Sequence, residues 1–177
     1  VMRKLLDDPR RIDALLTEFD AEVATQTALA TPADTTPEAS AAATEAKAWA
    51  TTLAHQATLI RESLAALRAA RGTDPEAPLR VADDILHGLG HAMLAWGWAR
   101  LSRAAGQALS ARASDAATGG ETAGSAAAEA STEGYGDHFL HQQVELAAYG
   151  RDWLLPAAAW RWQRVTQGAP ALPWVRA

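Results

Sequence analysis

The chain has 177 residues and no cysteine, and 49% of it is apolar, enough for one domain, 1–177, with its own core. The missing cysteines exclude a disulfide scaffold, and 44 alanines against two Phe and two Tyr argue for helices and against a β-sandwich or barrel. Sixteen Lys and Arg against 21 Asp and Glu leave a net charge of −5, which lacks the basic footprint of a nucleic-acid binder.

Val1-Met2 fits either an alternative start or the cut end of a longer chain. Arg3-Lys4-Leu5-Leu6 runs into Asp7-Asp8, not into an apolar signal core. No stretch approaches the roughly 18 to 20 apolar residues of a membrane span, so a cytoplasmic location is expected. Asp8-Pro9-Arg10 places a capping carboxylate before a proline at the first helical position, and Ile12, Leu15, Leu16, Phe19 and Val23 follow at helical spacing to about Ala30. A Thr/Pro/Asp linker spans 31–36. Thr36-Pro37-Glu38 then starts a long helix with the stripe Ala46, Trp49, Leu53, Ile60, Leu64 and Leu67, which leaves Lys47, Arg61, Glu62 and Arg68 to solvent and stops at Gly72.

A third helix is expected over about 79–113, through Val81, Ile85, Leu89, Met93, Trp96 and Leu101. Its glycines, Gly88, Gly90, Gly97 and Gly106, each cost about 1 kcal/mol relative to alanine, so their concentration marks a crowded central helix with places where another backbone or a large ring comes close. The aperiodic Ala/Gly/Ser/Thr/Glu segment 114–134 reads as a disordered loop. A fourth helix over about 136–155 carries apolar residues round a wide arc and should be packed on two sides; Pro156 interrupts it before 157–166 resume, and the tail 168–177 is extended. The expected fold is all-α, an antiparallel up-and-down bundle of about four long helices.

Few residues carry chemistry. His87 and His91 stand four apart with Asp84 one turn earlier, a spacing that could present two imidazoles and a carboxylate to a metal, with His138 or His141 supplying a further ligand; buried, hydrogen-bonded histidines are the preferred reading of the spacing. Asp7-Asp8 and Asp83-Asp84 are neighbours whose side chains diverge on a helix, so they read as solvated or capping groups. No phosphate-binding glycine loop or nucleophile motif is present, and no catalytic, cofactor or metal residue is assigned.

Seven tryptophans stand out. Trp160 and Trp162 lie on nearly opposite sides of a helix, so one of them should leave the core, and Trp160 can stack with Arg164. Trp98, Trp160 and Trp162 are therefore the candidate docking surface, for another protein domain or for a peripheral membrane contact.

The stretch from Asp84 to Leu101, with Gly90-His91, Leu94-Ala95-Trp96 and Trp98, followed by Ala104-Ala105, resembles the penultimate long helix of the extra C-terminal domain of large acyl-CoA dehydrogenases. Phe139, Tyr149 and Leu154-Leu155-Pro156 take the places of that domain's last-helix aromatics and Leu-Leu-Pro, and Arg3-Lys4-Leu5-Leu6-Asp7-Asp8 is similar to the junction after the catalytic helical domain. Ile85 and Gly88 depart from the pattern. The resemblance implies an accessory domain, fragment or separate subunit of a flavoprotein of fatty acid metabolism. That enzyme's FAD, catalytic base and CoA contacts lie in other domains, and no flavin binding is expected of this chain. The expected partners are those catalytic domains or a second subunit; the alternative is a free-standing helical interaction or surface-coating protein.

Overall fold

The computed structural model describes residues 6–31, 36–117 and 136–168, and among these every regular element is helical. The linker core 32–35, most of the expected loop, and the tail beyond Gly168 lie outside the described residues. Helix α1 is Arg10–Leu29. Its first intrahelical bond runs from Asp13 N–H to the Pro9 carbonyl at 2.9 Å. Asp8 does not cap it as expected, because no side chain caps this end and the Asp8 carboxylate instead accepts from Arg10 Nε at 3.1 Å.

Helix α2, Pro37–Thr73, begins where the sequence places it: Thr36 Oγ1 accepts from the Ala39 amide at 3.2 Å, and Pro37 occupies the first turn, where its missing N–H costs nothing. All six residues of the expected stripe are buried, and Lys47, Arg61, Glu62 and Arg68 are exposed. Burying side chains of the size of Trp49, Leu53 and Ile60 contributes about 1.5–3 kcal/mol each. Arg61 with Asp20 at 2.7 Å and Arg71 with Asp7 at 2.5 Å bridge α2 to the α1 side, on the surface where such pairs stabilise little.

The expected third helix is two elements. A one-turn helix α3, Ala77–Arg80, leads through Val81 into α4, Ala82–Ala117. Arg80 binds the Asp74 carboxylate, which also accepts from the Glu76 amide at 3.1 Å, and the Arg80 hydrogen bond holds Asp74 below its ordinary pKa. Helix α4 also runs four residues into the segment expected to be a loop. On its inner side Ala92, Ala95 and Ala99 are fully buried, so small side chains let α4 lie close to its neighbours.

Helix α5 is Asp137–Tyr149. Pro156 has no amide for the Asp152 carbonyl, and the chain answers with a widened turn over Gly150–Leu154, closed by Leu155 N–H to Gly150 O at 3.1 Å. A short tight turn, Pro156–Ala158, then gives way to α6, Ala159–Gln167, which ends at Gly168 with φ of 75°. Contacts between α4 and this last segment run in opposite sequence senses: Arg112 meets Asp137, Trp98 meets Gly150, and Asp84 meets Arg161. One large core gathers Phe19, Trp49, Leu53, Ile60 and Trp162; a smaller one joins Leu67, Val81, Ile85 and Val165.

Candidate functional site

The three candidate tryptophans do not form one surface. On α6 the pair separates as the helix geometry requires: Trp162 is 2% exposed and Trp160 is 46% exposed. An ideal Cβ on Gly88 would stand 2.7 Å from the Trp162 ring, so this glycine is the seat of the indole. Trp98 is half-buried, with its ring where a Gly150 Cβ would stand 2.6 Å away. The expected shared docking surface is therefore corrected: Trp162 is a core residue, Trp98 is a packing residue between α4 and the widened turn, and Trp160 alone faces outward.

Trp160 is framed by cations. The Arg161 guanidinium lies 4.5 Å from its ring centroid and that of Arg164 lies 5.5 Å away, which includes the stacking partner expected from the sequence. Both arginines also hold Asp84, through Arg161 Nη1 at 3.2 Å and Arg164 Nε at 3.1 Å, while Arg161 reaches Asp83 at 3.0 Å. Asp84 is 3% exposed, so the expectation of a solvated or capping group is wrong for it. It is a buried carboxylate neutralised by two guanidinium groups, and it anchors the ring-framing arginines to α4.

The histidines have other occupations. His91 Nδ1 is 2.7 Å from the His87 carbonyl, and His87 Nε2 is 3.6 Å from Asp83 on the exposed face. Asp84 is committed to the arginines. His138 and His141 are exposed at the start of α5, beside the end of α4 that carries Arg112, and so stand roughly 30 Å or more along α4 from His87. Among the described residues no three His, Asp or Glu side chains converge for a metal ion.

Two further charge clusters, the first buried and the second part-buried, hold helices together. Glu22, 6% exposed, accepts from Arg103 Nε at 2.9 Å and Nη2 at 3.0 Å in a bidentate fork, and Gln26 links it to the Ala99 carbonyl at 3.0 Å. Arg151 reaches Glu45 at 2.6 Å and Asp152 at 2.7 Å while lying 5.3 Å from the Trp49 ring centroid. The Arg151 hydrogen bond lowers the Asp152 pKa from its ordinary value. These carboxylates all have guanidinium partners.

Sequence reasoning missed an open apolar face. Leu86, Met93, Leu94 and Leu101 of α4 are exposed, as are Phe139, Leu146 and Tyr149 of α5 and Trp153 and Leu154 of the widened turn. The expected two-sided packing of the fourth helix is therefore not met. Nor do Gly90, Gly97 and Gly106 sit against a ring or backbone as expected; a Cβ at each would meet nothing within 4 Å. The available signal was the run from Leu86 to Ala99, fourteen residues of helix without one Asp, Glu, Lys or Arg.

The family model described as acetyl-CoA dehydrogenase C-terminal like matches residues 19–173. Its span takes in α1 from Phe19 onward and every later helix. The chain therefore belongs to that family, as the resemblance of its third and fourth helical segments implied. No curated protein and no solved structure shows a significant match to it.

Proposed function

We propose that this chain is an accessory, non-catalytic domain of a flavin-dependent acyl-CoA dehydrogenase that docks on the catalytic domains through Trp160. The family match over residues 19–173 carries this reading. The site chemistry supports it: the buried carboxylates Glu22 and Asp84 are held by arginines, and Trp160 presents a half-exposed indole on a guanidinium-braced helix. Trp and Arg are the residue types that most often anchor an interface. In the full enzyme FAD is held by the other domains, and this chain supplies their support.

The test mixes the full 177-residue chain with separately produced, FAD-loaded catalytic domains of an acyl-CoA dehydrogenase from the same source. Flavin absorbance is followed through gel filtration. Flavin should co-migrate with the chain, and Trp160→Ala should weaken the complex by roughly tenfold or more, the scale of an anchor residue. Failure of the unaltered chain to shift the flavin peak would reject the docking reading, and equal binding by the variant would reject Trp160 as its anchor.

A further inference from the structure

The exposed side of α4 has an order that its buried side lacks. At about 100° per residue, Leu86, Gly90, Met93, Gly97, Leu101 and Ala104 fall within an arc of about 80°, opposite the buried Ala92, Ala95 and Ala99. Large and small residues alternate along it, and from Leu86 to Leu101 the alternation is symmetric about the Met93–Leu94 bond. Leu86 and Leu101 are equidistant from that point, as are Gly90 and Gly97. Nothing approaches either glycine, so the backbone there is open to another helix.

A face that reads alike in both directions is what a two-fold axis demands, because in an isologous contact the same patch meets itself. We propose that this face pairs with a second copy of the chain, the two α4 helices antiparallel and the axis passing beside Met93 and Leu94. Leu86 then lies against Leu101 of the second copy, and Gly90 against Gly97 of the second copy. The two glycine positions let the helix axes approach while the Met93 and Leu94 side chains fill the centre.

The area is adequate. The Arg112–Asp137 and Trp98–Gly150 contacts put Leu101 level with Leu146, and Leu94 level with Trp153 and Leu154, on the neighbouring segment. Exposures of 56% at Leu86, 53% at Met93, 52% at Leu94, 54% at Leu146 and 71% at Trp153 place this apolar surface well above scattered single residues. Taking a large side chain as roughly 150–200 Å², the face offers on the order of 600 Å² per copy. A pair thus buries on the order of 1,200 Å², the lower bound of a specific interface. The centre of the face, Leu86 to Ala99, carries no charged residue to be desolvated, and the exposed Asp83 and Arg100 lie at its ends.

This inference goes beyond the docking reading and rests on other residues, so either can fail alone. Because the chain has no cysteine, single introduced thiols report the geometry directly. Met93→Cys should form a disulfide-linked dimer under mild oxidation, since in the proposed pairing its own copy is displaced by only about one residue rise along the axis. Leu86→Cys alone should not, its copy lying roughly 22 Å away along the helix, whereas a mixture of Leu86→Cys and Leu101→Cys should link. Sedimentation of the unaltered chain should show a dimer, and Leu94→Glu, at an exposed site that leaves the core untouched, should raise its dissociation constant at least about tenfold. A chain that stays monomeric, that binds neutral phosphatidylcholine vesicles in place of itself, or in which Leu86→Cys alone links as readily as the mixture, overturns the proposal.

Discussion

Glycine at position 88 is there because of Trp162, and replacing it by alanine sets two terms of known sign against each other. Alanine inside a helix gains about 1 kcal/mol over glycine. Against that gain, its methyl would stand 2.7 Å from Cε2 and Cζ2 and 2.9 Å from Cη2 of the Trp162 ring. The ring is 2% exposed and belongs to the main core cluster, so to retreat it must displace other core side chains. An added methylene in a packed core costs about 1–3 kcal/mol, and three simultaneous contacts with a rigid indole belong at the upper end. The net expectation for Gly88→Ala is a destabilisation of about 1–2 kcal/mol, a fall of roughly 2–8 °C in Tm for a chain of this size. Gly106→Ala, on the same helix with nothing within 4 Å of its Cβ, should instead raise Tm by roughly 2–4 °C. Thermal unfolding followed by circular dichroism at a fixed chain concentration decides the matter. A Gly88→Ala variant as stable as Gly106→Ala would show that Trp162 does not rest on this glycine.

Arg103→Ala should cost about 3–5 kcal/mol in urea unfolding, because Glu22 would keep its burial and lose its bidentate partner; Glu22→Gln in the same background should recover part of that loss, and no recovery would place the cost elsewhere. Asp152, held below its ordinary pKa by the hydrogen bond from Arg151, contributes stability that is present above the unfolded carboxylate value of about 3.9 and is lost as pH falls through the lower folded value. Asp152→Asn should therefore flatten that acid limb in a pH series of unfolding measurements, and an unchanged limb would remove Asp152 from the account.

Helical class, the Thr36–Pro37 start of α2, its buried stripe and the interruption at Pro156 were legible in sequence, because caps, proline and 3.6-residue spacing act within one or two turns. The opposed directions of Trp160 and Trp162 were legible for the same reason. Which of the two turned inward was decided by Gly88, 74 positions away, the ring-sized notch that only the assembled bundle brings opposite α6. Asp84 looked like a capping or solvated carboxylate because its partners, Arg161 and Arg164, arrive from the far end of the chain. The four glycines of the third helix were indistinguishable in sequence, each with the same local cost. Tertiary structure separated them, setting Gly88 against an indole and leaving Gly90, Gly97 and Gly106 open. Local interactions thus determined where helices begin and how they are striped, whereas contacts between distant segments decided which apolar residues are covered and which face of α4 stays open.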